Sequence, residues 1–360
     1  AAPQPVWEYR GNLSWLGSPA LVAGCLALVE DVPGRLLGLN AADGTVRWRT
    51  QGVGGYVPTP SGRTRRHGRV LVMTALHASP RNRLAFVSPA DGRTWYSDAL
   101  EVDFAQLSDS PVAAVDGSRL YLVGHRRGEG RSEPRNWPRV LLAYDVDEGR
   151  VLWQREIARD DADRVQGAVL GRRLVLLERG AVRGYRTTDG APRWERSVPG
   201  KKAWLTAVPK HDAVLVSGQR LMLLDAATGR VRWGSRPEQE EPAGNQPLFG
   251  PTAVVGDTGY LTVRGGGLLA LRLKDHRRGW DWLPPEEGVV AQTPPTVRGG
   301  LVFPPTAQGN TVVVAVDART GRSRWKLRDV DFEFRHVLLC SDRERLYVVR
   351  GNHVRALPLG

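Results

Sequence analysis

Short apolar runs, separated by turns rich in Gly, Asp and Asn, recur along the whole chain. Leu120–Val123 is followed by Val140–Tyr144, and Leu174–Leu177 by Val182–Tyr185; a further run, such as Pro111–Val115 or Pro251–Val255, stands ahead of such pairs. Runs of this length bounded by turn residues predict β-strands. A last strand after each pair brings the count to four per unit. No stretch sustains a helical period, which excludes a helical repeat.

The unit is marked by tryptophan. Trp7, Trp48, Trp95, Trp153, Trp194, Trp233, Trp280 and Trp325 are separated by 41, 47, 58, 41, 39, 47 and 45 residues, and the wrap from Trp325 through Gly360 to Trp7 is 42. Ten residues before seven of them stand Gly38, Ala85, Ala143, Gly184, Leu223, Ala270 and Ala315, small in every case but Leu223. Five of the intervening turns, Asn40–Gly44, Asp145–Gly149, Arg186–Gly190, Asp225–Gly229 and Asp317–Gly321, end in a glycine four residues before the Trp; Gly92 and Gly279 mark irregular turns in units two and six. Such a glycine supplies a positive φ in a hairpin. Eight four-stranded antiparallel units in a closed array predict an all-β, eight-bladed propeller. Residues 1–10 are expected to form the outer strand of blade eight, residues 11–333 blades one to seven, and residues 334–360 the rest of blade eight, as one domain.

The Ala/Gly-x-Asp-x-x-x-Gly-x-x-x-Trp series resembles the tryptophan-docking repeat of the pyrroloquinoline-quinone-like propellers, the group of the quinoprotein alcohol dehydrogenases, BamB-like outer-membrane assembly factors and sensor domains of bacterial serine/threonine kinases. The resemblance implies that these eight tryptophans dock neighbouring blades together. In catalytic members it also implies a quinone cofactor, a calcium ion and a disulfide between adjacent cysteines. Here only Cys25 and Cys340 occur. They fall in blades that neighbour each other in a closed ring, and two free thiols are favoured over a bridge. The seven histidines show no pair at ligand spacing. Gly265–Gly267 reads as a tight hairpin turn. No catalytic residue, cofactor or metal ligand is therefore expected.

The apolar fraction is 41% without a run near eighteen residues, so no membrane-spanning segment is expected. The opening Ala-Ala-Pro-Gln-Pro reads as a mature or clipped end, consistent with an extracytoplasmic domain tethered through upstream residues. A net charge of +13 raises the question of nucleic acid. Arg47, Arg193, Arg232 and Arg324, each next to a repeat Trp, read instead as charges that protect outer strands from edge-to-edge pairing. Nucleic acid is not an expected partner; a protein or peptide is.

Two features are candidate partner sites. Loops between blades carry acid, including Asp160, Asp161, Glu240, Glu241, Glu286 and Glu287. One field sign near the mouth attracts a basic partner. An insertion in blade three, from Gly124 to Arg139, carries Arg126, Arg127, Arg131, Arg135 and Trp137, residue types enriched at contact hot spots. Strand order puts both on one face. The expected function is a non-catalytic binding propeller, a sensor or scaffold; the alternatives are a BamB-like assembly scaffold and, in the enzyme class, a quinone-dependent dehydrogenase.

Overall fold

The computed structural model describes residues 2–14, 17–31, 35–51, 58–74, 82–104, 111–126, 137–157, 166–178, 180–200, 202–235, 248–284, 293–305, 311–328 and 337–359. It is an all-β, eight-bladed propeller of antiparallel sheets. Each of the first seven blades follows the chain from inner to outer strand. In blade one these are Ala20–Val22, Cys25–Val29, Leu36–Asn40 and Val46–Arg49. Blade three adds a short segment, Val102–Asp103, that pairs with the same second strand as the inner strand Val112–Asp116. Among the described residues the one helical segment is the 3-10 turn Pro209–His211.

Blade eight is made from both chain ends. Leu338–Ser341, Arg345–Arg350 and His353–Pro358 form three strands, and Trp7–Arg10 completes the sheet with Trp7 opposite Ala356 and Arg10 opposite His353. Glu8 Oε1 accepts from Arg355 Nε at 3.1 Å across this pair. The ring thus closes as the orphan Trp strand suggested.

The core is distributed over the seams between blades. Cys25, Ala27 and Val29 of blade one meet Leu71, Met73, Ala85 and Val87 of blade two, while Leu26 and Leu28 point the other way and meet Tyr347 and Val349 of blade eight. Period-two alternation therefore gives both faces of a middle strand an apolar partner. This is why the middle strands read as continuous apolar runs rather than alternating ones.

Six of the marker indoles cross to the next blade by hydrogen bond. The Nε1 groups of Trp7, Trp48, Trp153, Trp194, Trp233 and Trp280 donate to the carbonyls of Ala41, Pro89, Thr187, Ala226, Leu273 and Ala318 at 2.7–3.2 Å. Each acceptor lies in the turn joining the third and fourth strands of that blade. Trp194 shows why glycine is needed on both sides. A Cβ on Gly184, its cross-strand partner, would lie 2.3 Å from the indole, and a Cβ on Gly229 of the next blade would also lie 2.3 Å from it. Gly229 has φ +67°, so the turn needs its freedom as well.

The irregular units have local causes. In blade six His276 occupies the position four residues before Trp280 that glycine holds elsewhere; it takes φ +58° and stacks on Trp233 with ring centroids 4.5 Å apart. In blade two the final hairpin lacks the register shift found at this point in other blades, so Trp95 pairs with Phe86 rather than Ala85. Trp95 packs against Phe86 and His67 of its own blade. Beside Gly149, in the turn of blade three, no indole is in contact.

Deleting residues 1–10 is expected to expose one edge of blade eight and remove the Trp7 dock, costing about 3–5 kcal/mol; an unchanged thermal midpoint would contradict this. Gly184→Val should cost roughly 2 kcal/mol or more through overpacking against Trp194. Denaturant unfolding measures it.

Candidate interaction faces

The alternating strands divide the connections between two faces of the disc. One face carries the loops from second to third strands and the loops between blades. The other carries the turns from first to second and from third to fourth strands.

On the first face, Arg127, Arg131, Arg135, Asp160, Asp161, Glu240, Glu241, Glu286 and Glu287 lie outside the described residues. The root of the blade-three insertion is described. Arg126 N donates to Pro138 O at 2.9 Å, and His125 pairs with Arg139. Trp137, expected on an extended hairpin, is buried at this root. Arg139, at the same root, is only 2% exposed, a placement that demands a compensating charge.

A carboxylate of blade four lies within electrostatic reach of Arg139. Glu178, 4% exposed, accepts from Tyr185 Oη at 3.1 Å and from Arg183, and interacts electrostatically with Arg139 across the seam. Arg183 also donates from Nε and Nη2 to Glu195 at 3.0 and 3.1 Å. Burial raises the Glu178 carboxyl above its ordinary range even though both arginines pull it down. Burial and the Arg139 charge lower the His125 imidazole. Sequence reading missed this cluster, because Arg139 and Glu178 belong to different units and each resembles a loop residue.

The second face is organised by the repeat turns. Asp225 accepts from Arg232 Nη2 at 2.6 Å, from the Ala227 and Thr228 backbone N–H groups at 3.0 Å and from Thr228 Oγ1 at 2.9 Å. Asp317 repeats the pattern with Thr320 and Arg324. Asp189 pairs with Arg186, and Asp275 with Arg272. Arg173 reaches from blade four to Asp212 of blade five. The guanidinium bonds of Arg186 and Arg232 are the leading cause that lowers Asp189 and Asp225 to about 2.

Blade two departs from this arrangement. Its first and second strands, Thr59–Pro60 and Leu71–Thr74, are joined by residues 61–70 rather than by a tight turn. Arg63, Arg65, Arg66 and Arg69 are all exposed on this loop. The backbone N–H groups of Arg65 and Arg66 donate to the Asp147 carboxylate of blade three at 2.9–3.0 Å. His67 packs at a tilt of 39° against Trp95 with centroids 4.8 Å apart. The run Arg-Thr-Arg-Arg-His-Gly-Arg was the available sequence signal.

Cys25 packs between blades one and two, Cys340 packs against the seam of blades eight and one, and both thiols are free. Burial raises them, to about 11 and about 12. Among the described residues no three His, Cys, Asp or Glu side chains converge as a metal site.

The repeat turns and indole docks define a pyrroloquinoline-quinone-like propeller. The chain belongs to the family described as outer membrane protein assembly factor BamB, whose model matches residues 4–166 and 139–357. Among solved structures, BamB from Moraxella catarrhalis is similar at 14% identity and TM-score 0.50, covering 99% of both chains. Quinohemoprotein alcohol dehydrogenase ADHIIG from Pseudomonas putida HK5 is similar at 11% identity and TM-score 0.64, covering 99% of this chain and 76% of the other. Sqt1 from Saccharomyces cerevisiae is similar at 9% identity and TM-score 0.70, covering 100% of both. These likenesses show the fold. No curated protein matches the chain.

Glu178→Ala leaves Arg139 and Arg183 without their buried counter-charge and should cost on the order of 3 kcal/mol in denaturant unfolding. Because Asp189 and Asp225 are lowered in the folded state, their contribution is fully present above the unfolded carboxyl value of about 3.9 and lost as pH falls toward about 2. The melting temperature should fall across that window. Replacing both aspartates by Asn should flatten this decline.

Proposed function

We propose that this propeller is a non-catalytic binding platform of the cell envelope, a scaffold or sensor domain for a protein partner. The observation that carries the reading is the family match along nearly the whole chain, to a family described by assembly of outer membrane proteins. A scaffold for that assembly is the form of the reading which the family description favours. The cysteine content supports it against a quinoprotein dehydrogenase, since two residues 315 positions apart cannot form a disulfide between adjacent cysteines.

The partner surface in this reading is the face of the inter-blade loops and the blade-three insertion. Acidic Asp160, Asp161, Glu240, Glu241, Glu286 and Glu287 stand in its loops, with Arg126, Arg127, Arg131 and Arg135 in the insertion. Opposite signs on one face orient a partner and steer its approach. Trp137 acts from beneath by holding the root of the insertion.

Replacing Arg126, Arg127, Arg131 and Arg135 by Ser should weaken capture of the partner from the envelope fraction of the source cells at low salt and leave the melting temperature unchanged. Equal capture of the same partner by the variant argues against this face. Incubation with pyrroloquinoline quinone and calcium should give no dye-linked alcohol oxidation; sustained turnover would replace the scaffold reading by the enzymatic one.

A further inference from the structure

The second face carries a cationic sector that the repeat does not require. We propose that the Arg63–Arg69 loop of blade two is a docking site for an acidic peptide segment of a partner protein. The loop is built rather than merely long. Ser61 N donates to Val70 O at 2.8 Å, Val70 N to Ser61 Oγ at 3.0 Å, Thr64 N to Gly68 O at 2.6 Å and His67 N to Thr64 Oγ1 at 3.0 Å. Its flank meets blade three so closely that a Cβ on Gly62 would lie 2.2 Å from Gly117 O. Asp147 holds the Arg65 and Arg66 amides, and the Trp95 ring holds His67.

Backbone atoms and His67 thus fix the loop, and the guanidinium groups are left for other work. Among the described residues none of Arg63, Arg65, Arg66 and Arg69 forms a side-chain ion pair. Elsewhere on the same face several arginines are neutralised in pairs, as at Asp189, Asp212, Asp225, Asp275 and Asp317, while exposed Arg172, Arg230, Arg319 and Arg322 are spread singly or in twos over three blades. The Asp147 oxygens accept from the Arg65 and Arg66 amides, and their charge also acts on these two guanidinium groups without forming an ion pair. An arginine fork binds a carboxylate through two parallel hydrogen bonds.

The surroundings choose the partner's shape. Asp43 and Asp91, exposed in the neighbouring turns of blades one and two, are both lowered by local hydrogen bonds and stay ionised. A broad anionic surface, such as a bilayer or a nucleic-acid duplex, would be pressed against these carboxylates. A narrow chain can lie on the loop alone. Trp95, the nearby indole, is covered by His67 and by Arg93, whose guanidinium carbon lies 5.8 Å from the ring centroid, so no open aromatic face is offered to a base.

The test is fluorescence anisotropy with a fluorescein-labelled oligoglutamate, run beside phosphatidylserine vesicles and a short DNA duplex. The full chain should bind oligoglutamate in preference to both, and less tightly as salt rises. Arg63, Arg65, Arg66 and Arg69→Ser together should weaken peptide binding by roughly tenfold or more with an unchanged melting temperature. Restoring Arg63 and Arg69 in that variant should recover part of the affinity. Equal peptide binding by the variant, or preferred binding to the vesicles or the duplex, would overturn the proposal. The Ser variant of the blade-three insertion serves as control: it lies on the other face and should bind oligoglutamate like the wild type, so the two surfaces fail or stand separately.

Discussion

The indole dock between consecutive blades is the interaction on which the rest of this structure depends. A propeller blade buries both faces of its middle strands against neighbours, so its energy is shared with the seam rather than held within the sheet. Apolar packing alone would permit sliding between such faces, because it is non-directional. The Trp Nε1 bond to a turn carbonyl of the next blade removes that freedom at one point in six of the seams. Trp194 shows the cost in sequence: a small residue beneath the ring, a glycine above it, and a turn whose carbonyl faces outward at the right height. Three constraints at one indole explain why three positions recur together in the repeat.

Where the dock changes, other chemistry takes its place. His276 keeps the seam of blades five and six by stacking on Trp233 from a left-handed backbone position that glycine usually fills. At the seam of blades two and three, Trp95 makes its ring contacts with Phe86 and His67 of its own blade, and the Asp147 carboxylate ties the two blades together through the Arg65 and Arg66 amides. The substitute is polar and exposed, and its geometry presents arginine side chains outward. A structural tie at one seam thus carries four exposed arginines.

The seam of blades three and four solves a different problem. The insertion of blade three roots on Arg139 and Trp137, both buried, and the buried cation requires Glu178 of blade four as its counter-charge. Glu178 in turn engages Arg183 and Tyr185, so the base of the insertion is part of an inter-blade network. A surface loop anchored in this way can vary in sequence without loosening the ring. The family scaffold and its loops are physically separable, which is how one propeller fold accommodates an assembly factor and a dehydrogenase.

Eight blades, their strand count and the closure through Trp7 were legible in the sequence, because a repeat writes the same local constraint many times and an orphan strand at one end matches a deficit at the other. The tight positions around each Trp were legible for the same reason. The tertiary structure alone decided how units of different sequence meet. Arg139 and Glu178 lie 39 positions apart and become neighbours only when two blades pack. His276 could not be read as a stand-in for glycine until its backbone and the Trp233 ring were seen together, since His is an unexpected residue in a left-handed conformation. The basic loop was visible as a cluster of arginines, but its exposure and its anchoring by Asp147 are properties of the closed ring. Local sequence determines turns and strands through backbone sterics and burial pattern; which charges remain unpaired depends on neighbours that only folding supplies.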